Sequence, residues 1–368
     1  MKIQIFILII IILIIMYVLN QYLYKNYEDF KNIDWEKEYD KMYRILDEYF
    51  LNKDNKLTEE EKKEIEKYFE VEKIFDEIPE KNRCISCSLF CQNSNNRYKN
   101  EQPAPNFHDK NSNWYKKYYS SLKNMIQDKN TIFPDYKIRL YLENQLEEFT
   151  NELLSLSNNQ LEIYLMKNNS IGANPGALWR FLAFDDKNLD IAMCFDIDEP
   201  LKDKKKLIET FEKSDKVFGR YMGDVNNNIY INKKENTAKN YPVVIASKIG
   251  CKPSQSDISF KDNLTKYMFH RVKRCNSKKP WQEKDDDVLN DYNRPIGNQY
   301  AGWGGDIHIY GFDEKGFKHI FFPYFVKRSE VLTWNVTPEN KIKKLPIDHP
   351  YKIDYEFCKK YNNAFILI

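Results

Sequence analysis

Four short apolar runs, separated by polar or helical stretches, dominate the chain between residues 84 and 195. They cover residues 84–91, 137–142, 161–166 and 189–195. Apolar runs that alternate with helical stretches are typical of α/β proteins, in which the strands form a buried sheet. The last run is nearly unbroken and ends at Asp196, which predicts a central parallel strand that is buried on both faces. Ligands bind at the carboxyl ends of such strands, so we expect a site there.

The amino-terminal pattern differs from the rest of the chain. Residues 3–19 are almost all apolar, and a helix of that length covers about 25 Å, enough for a thin bilayer. Tyr22 and Tyr24 follow it, as in an aromatic interface belt, rather than the small residues of a signal-peptide cleavage site. We predict a retained single-pass transmembrane anchor at 1–24, a helical stem at 25–80 and one large domain at 81–368. The flanking lysines leave the orientation in the membrane open.

Charge and cysteine content narrow the classes of function. The chain has 57 Lys and Arg against 55 Asp and Glu, a formal net charge of +2, so we expect no nucleic-acid partner. The seven cysteines form no paired metal-binding framework. Cys84, Cys87 and Cys91 have the spacing of half a zinc site, but no second cluster follows, which favours buried thiols with at most one disulfide.

The candidate chemistry centres on Asp196 and Asp198, which come directly after the last apolar run. Two carboxylates one residue apart at a strand end can point at one hard cation if Ile197 turns into the core. Mg²⁺ and Mn²⁺ prefer oxygen ligands and keep positions open for phosphate oxygens. The spacing therefore indicates a divalent metal site, although turn acids on the surface give the same pattern.

Two other segments carry candidate site residues. Arg180 lies within the apolar segment 176–184 and requires an anionic partner, either a structural carboxylate or a phosphate. The glycine-rich segment 300–306 contains Trp303, whose flat face suits a sugar ring, and Asp306, which can accept a hydroxyl proton. An ordinary tight turn explains this loop equally well.

A family resemblance rests on an ordered set of short motifs. They are Ser-Cys-Ser-Leu-Phe-Cys at 86–91, Phe-Pro-Asp-Tyr-Lys-Ile-Arg-Leu-Tyr at 133–141, Leu-Trp-Arg-Phe at 178–181, Asp-Ile-Asp at 196–198 and Tyr-Gly-Phe-Asp-Glu at 310–314. Together they resemble a group of uncharacterised GT-A-type glycosyltransferase-like proteins of large DNA viruses and microbes. The chain departs from that pattern at Phe195 and Glu199, where the group has Arg and Ser.

The resemblance implies a Rossmann-like mixed sheet flanked by helices that binds a nucleotide sugar and transfers the sugar to a glycan or glycoprotein acceptor. Asp196 and Asp198 would hold Mn²⁺ or Mg²⁺ against the donor diphosphate, with Arg180 orienting the donor. Asp306 or Asp313 would act as base or acceptor contact, and His308 or His319 could complete the metal shell. A host endomembrane or a virion membrane would be the location.

Two other classes of function stay open. The segment 195–201 also resembles the phosphatase motif of haloacid dehalogenases, with Asp196 as nucleophile and Asp198 as acid, although Pro200 takes the place of a hydroxyl-bearing or β-branched residue. A membrane or virion protein that keeps the fold without turnover is the third class.

Overall fold

The computed structural model describes residues 58–90, 107–167, 176–222, 244–265 and 331–345, apart from positions 113, 258, 263 and 336. It also describes positions 352, 355–356, 359 and 365–367. The predicted anchor, the stem up to residue 57, and the segment that carries Trp303, Asp306, His308, Asp313 and His319 lie outside these residues. Within the described part of the chain, every helix is too short or too polar to cross a bilayer.

Helices and strands alternate along the described chain. The α-helices are α1 (Glu59–Glu66), α2 (Ser120–Ile132), α3 (Thr150–Ser155), α4 (Lys205–Lys213) and α5 (Glu339–Lys343). The strands are β1 (Val71–Phe75), β2 (Arg83–Leu89), β3 (Lys137–Glu143), β4 (Leu161–Met166), β5 (Ile191–Phe195), β6 (Phe218–Met222), β7 (Val244–Cys251), β8 (Val331–Asn335) and β9 (Phe365–Leu367). The 3-10 helices include Gly176–Asp185 and Leu201–Lys204, and a π-helix, Tyr115–Tyr119, leads into α2.

The described strands form one mixed sheet in the order β1-β4-β3-β2-β5-β7-β6-β8-β9. Strands β4, β3, β2 and β5 are parallel to one another, whereas β7 runs antiparallel to both of its neighbours. Counted from β2, the parallel strands follow the order 3-2-1-4, which is how a doubly wound dinucleotide-binding sheet begins. The expected α/β class with a mixed sheet and flanking helices is confirmed.

The two faces of the parallel strands differ in chemistry. Alternate residues such as Ile85, Cys87 and Leu89 of β2 join one apolar core with helices α2, α3 and α4. The intervening residues of the same strands face the other side, where Ser86 donates to the backbone of the Gly176–Asp185 segment. Because side chains alternate along a strand, a single apolar run supplies both layers.

The four strands predicted from the apolar runs are all present, with bounds within two residues of those expected. Each of the five residues of β5 is buried, as predicted for a central strand. The cysteines Cys84, Cys87, Cys194 and Cys251 are buried free thiols. Burial raises the pKa of the Cys84 and Cys87 thiols to about 12, so both stay protonated at neutral pH.

Helical structure does not continue to the end of the predicted stem at 25–80. Helix α1 ends at Glu66, and Val71–Phe75 form an edge strand that pairs antiparallel with β4. Val71, Ile74 and Phe75 are residue types that favour strands, and the outer side of β4 offers backbone partners that outweigh a helical preference. The last part of the predicted stem is therefore joined to the sheet of the large domain.

Candidate functional site at the carboxyl edge of the sheet

The sheet changes direction between β2 and β5. From β2 the chain proceeds to β3 on one side, whereas β5 lies on the other side, parallel to β2. In open α/β sheets such a switch point leaves a crevice beyond the carboxyl ends of the strands, and ligands bind there. Asp196 and Asp198 follow β5 directly, so the structure places both at this crevice.

The Gly176–Asp185 segment covers one side of the crevice. Gly176 packs so closely on the ring of Phe90 that a Cβ atom would lie 2.3 Å from Cγ of that ring, which excludes a larger residue. The carbonyl oxygen of Arg180 accepts hydrogen bonds from Ser86 Oγ at 2.6 Å and Cys194 Sγ at 3.2 Å. These bonds fix the backbone of Arg180 above β2 and β5.

Each of the two aspartates is bound by a cation, and the two cations come from opposite layers. Arg180 Nη1 donates to Asp196 Oδ1 from the segment that covers the polar face of the sheet. Lys117, in the π-helix that leads into α2, places its Nζ 3.0 Å from Asp198 Oδ2. Ile197 between them is buried in the core with α2, as the sequence predicted. Of the two partners expected for Arg180, the structure shows the carboxylate.

A third acid, Glu199, is shared by two lysines. Its Oε2 contacts Nζ of Lys204 and lies 3.4 Å from Nζ of Lys248. Lys204 ends the Leu201–Lys204 turn, and Lys248 lies on β7 directly opposite Phe195. Burial lowers the pKa of Lys204 to about 7, with Lys248 adding to the shift and Asp196 opposing it. Burial also lowers the pKa of Lys248, against the attraction of Asp196.

We call these seven side chains the edge cluster: Arg180, Lys117, Lys204 and Lys248 with Asp196, Asp198 and Glu199. Its direct ion pairs join four cations to three carboxylates. The side chain of Asp196 is 41% exposed, so solvent and ligands reach the cluster from the crevice. Four basic side chains at an accessible strand edge favour an anionic ligand, which would also stabilise the charged forms of Lys204 and Lys248.

Ser88 adds an unused polar group beside the cluster. It lies on β2 two residues beyond Ser86, on the same face of the sheet and toward the carboxyl end. Its hydroxyl oxygen is buried, and the described residues offer it no hydrogen-bond partner. Leaving a buried hydroxyl unpaired is unfavourable by about 1–3 kcal/mol, so such a group is usually satisfied by a ligand or water.

A cavity of about 390 Å³ opens on the other side of the acids, between α2 and the segment 197–202. Ser121, Asn124 and Asp128 of α2 and Asp198 and Glu199 line it with polar groups, over an apolar floor that includes Met125 and Leu201. Its volume is at the lower end of the range for small-molecule sites.

Asp196 and Asp198 suit a divalent cation only if further anionic ligands complete its shell. Mg²⁺ is commonly held by one or two carboxylates while phosphate oxygens and water complete its shell. Among the described residues, no three His, Cys, Asp or Glu side chains come together as a metal site, and Arg180 and Lys117 already pair with the two aspartates. Asp196 and Asp198 therefore fit a metal that arrives with a diphosphate, since added negative charge offsets the repulsion by the cations.

Sequence reasoning found Arg180, Asp196 and Asp198, which the structure brings to one edge, and it missed four other members of the cluster. Glu199 was noted only as a departure from the family pattern. Lys117, Lys204 and Lys248 carried no signal, because lysines are abundant in this chain and these three lie on separate elements. Trp303, Asp306 and Asp313 stay predictions outside the described residues.

Known proteins show little similarity to this chain. No protein-family model matches the chain, and no curated protein matches it in sequence. Among solved structures, residues 1–349 of TarS from S. aureus match it with a TM-score of 0.27 and 9% identity, over 63% of this chain and 74% of that one. A likeness this weak defines no family. The fold and the site themselves define an α/β protein with a mixed, doubly wound sheet and a charged crevice at its switch point.

Proposed function

We propose that the protein is a glycosyltransferase that transfers a sugar from a nucleotide-sugar donor to a glycan or glycoprotein acceptor, with Mn²⁺ or Mg²⁺ as cofactor. The observation that carries the proposal is the position of Asp196 and Asp198. They lie together with Arg180 and three lysines at the carboxyl edge of a 3-2-1-4 sheet, which is where such sheets bind nucleotides. The family resemblance of the motifs at 86–91, 133–141, 178–181 and 196–198 supports the same class.

The residues of the cluster suit a donor whose charge lies in its diphosphate. Arg180 presents a guanidinium, whose forked donors match phosphate oxygens, and its backbone is already fixed by Ser86 and Cys194. Asp196 also holds the guanidinium, so the side chain would lose little freedom when a donor binds. A divalent metal held by Asp196 and Asp198 would stabilise negative charge on the departing diphosphate. Trp303 and Asp306 or Asp313 would serve the sugar and the acceptor.

A turnover assay on the full-length chain tests the proposal without knowledge of the acceptor. Release of nucleoside diphosphate from a panel of nucleotide sugars is measured with Mn²⁺, with Mg²⁺ and with EDTA. We expect at least one sugar nucleotide to be turned over in the presence of metal and only slow release in EDTA. Asp198→Asn should abolish most of this turnover, whereas Asp215→Asn, a change of an 86% exposed acid, should leave it intact.

The same assay separates the other two classes of function. A phosphatase that uses Asp196 as nucleophile would release inorganic phosphate from phosphomonoesters and show no preference for nucleotide sugars. A protein without turnover would release nothing from either substrate. Either result would contradict the transferase.

A further inference from the structure

We propose that Lys204 and Lys248 form an anion site for the phosphate groups of the donor, which the carboxylate of Glu199 fills in the free protein and leaves when the donor binds. This inference rests on the proposed function for the identity of the donor. The anion site itself stands on geometry and is tested without any sugar nucleotide.

Two ammonium groups converge on one carboxylate oxygen of Glu199. Lys204 and Lys248 come from the Leu201–Lys204 turn and from β7, and both Nζ atoms approach Oε2 of Glu199. The side chain of Lys204 is only 3% exposed, and that of Lys248 is 18% exposed. A single carboxylate is therefore in contact with two largely buried lysines.

The two lysines need more acceptors than Glu199 supplies. A buried ammonium is stable only if it is paired and hydrogen-bonded, and Glu199 is a single carboxylate in direct contact with two lysines. Burial lowers the pKa of both lysines although Asp196 also attracts them, so neither charge is fully satisfied. Each phosphate of a nucleotide sugar carries one negative charge on its non-bridging oxygens, so the diphosphate carries about two negative charges and can satisfy both ammonium groups. The lysine pair is thus a better match for phosphate than for the glutamate that it contacts.

The carboxylate of Glu199 has space to move away from the two lysines. Its side chain is 35% exposed, and the residue lies in a turn between the end of β5 and Pro200 rather than in a helix or strand. Glu199 also lines the cavity beside α2, which provides space for its carboxylate away from the lysines. Movement of this one side chain opens the anion site without a change in the sheet.

A purely structural role for Glu199 predicts a different effect of its replacement on anion binding. If Glu199 only neutralises Lys204, its replacement lowers stability and leaves anion binding unchanged. If Glu199 occupies a phosphate position, its replacement frees that position and anion binding becomes tighter. The two roles therefore differ in the sign of the effect on affinity.

The experiment is calorimetric titration of the full-length chain with inorganic pyrophosphate in EDTA, so that no metal contributes. We expect Glu199→Gln to bind pyrophosphate about tenfold more tightly than wild type, or about 1.4 kcal/mol. Lys248→Met should bind at least about tenfold more weakly, since it loses one charge-assisted hydrogen bond while the side-chain stem is retained. Thermal melts establish that each variant is folded.

Matched variants control for net charge. Glu209→Gln and Lys206→Ala change an acid and a lysine on nearby α4 by the same charge, outside the edge cluster, and should shift the affinity by less than about twofold. The inference is overturned if Glu199→Gln binds pyrophosphate no more tightly than wild type, or if Lys248→Met matches wild type. Pyrophosphate binding without any sugar turnover would contradict the transferase and leave the anion site standing.

Discussion

Two clusters of charged side chains lie on the same sheet and differ in composition and position. One is buried on the polar face: Glu162 accepts from Arg139 and lies 3.1 Å from Nζ of Lys137, and Arg139 also donates to Asp186 at 2.8 Å. The other is the edge cluster at the carboxyl ends of β2 and β5.

The buried cluster is balanced, with two cations and two carboxylates, and three of its members are on adjacent strands. Lys137 also donates to the carbonyl of Ile78 and Glu162 accepts from the backbone N–H of Ile78, so the cluster holds the segment before β2 against the sheet. The edge cluster has four basic side chains against three acids, and all of its members except Lys248 lie outside the strands. A balanced set of charges on rigid strands stabilises the fold, whereas an unbalanced set at an open edge has capacity for a ligand.

The largest expected effect is on stability and concerns Glu162. Glu162→Gln leaves Arg139 and Lys137 buried with an unneutralised charge, so we expect a loss of about 3–5 kcal/mol in the free energy of unfolding. Urea denaturation measures it. Glu209→Gln, which breaks the exposed pair with Lys205, should change stability by less than about 1 kcal/mol. Equal effects of the two changes would remove the distinction between the clusters.

The next effect is on activity and concerns the two aspartates. Asp196→Asn or Asp198→Asn should lower turnover at least about a hundredfold, near 3 kcal/mol in activation free energy, with a smaller loss of stability than Glu162→Gln because both aspartates are partly exposed. The double variant should be only slightly worse than the poorer single one, because a site that has lost its metal cannot lose it twice. Steady-state rates with Mn²⁺ measure this. Independent, multiplying effects would show that the two acids do not act on one ion.

A smaller effect is on the pH dependence of stability and concerns Lys129. This lysine is fully buried and shares the amide oxygen of Gln160 with Lys81. Burial, and then Lys81, lowers the pKa of Lys129 from 10.5 to about 7. The unfolded chain therefore binds more protons between about pH 7 and pH 10.5, and stability contributed by this group rises with pH across that window.

Lys129→Met removes that dependence. We expect the variant to be more stable than wild type by about 3 kcal/mol at pH 7, with the difference falling below about 1 kcal/mol near pH 10. Urea unfolding at pH 7, 8.5 and 10 measures it. Lys204 contributes a dependence of the same sign, so the slope of the variant should be reduced rather than abolished. A difference that grows with pH would contradict the assignment.

The parts of the fold that the sequence predicted are those governed by local pattern. Strands such as Leu161–Met166 are continuous apolar runs because both of their faces are buried. Strand β1 was mistaken for a helix because its pairing with β4 is a tertiary contact that the sequence pattern does not contain. For the same reason Asp196 and Asp198 were identified from their spacing, whereas Lys204 and Lys248 became site residues only when β7 was placed beside β5.

The proposed function requires that a nucleoside diphosphate binds at the edge cluster. The most direct measurement is hydrogen–deuterium exchange of the full-length chain with and without Mn²⁺ and each of the common nucleoside diphosphates. We predict slower exchange in the segments 176–182 and 196–204 with at least one nucleotide, and no change in helix α3, which packs on β4, two strands away from β2. Protection confined to other segments, or no protection with any nucleotide, would contradict nucleotide binding at the edge cluster.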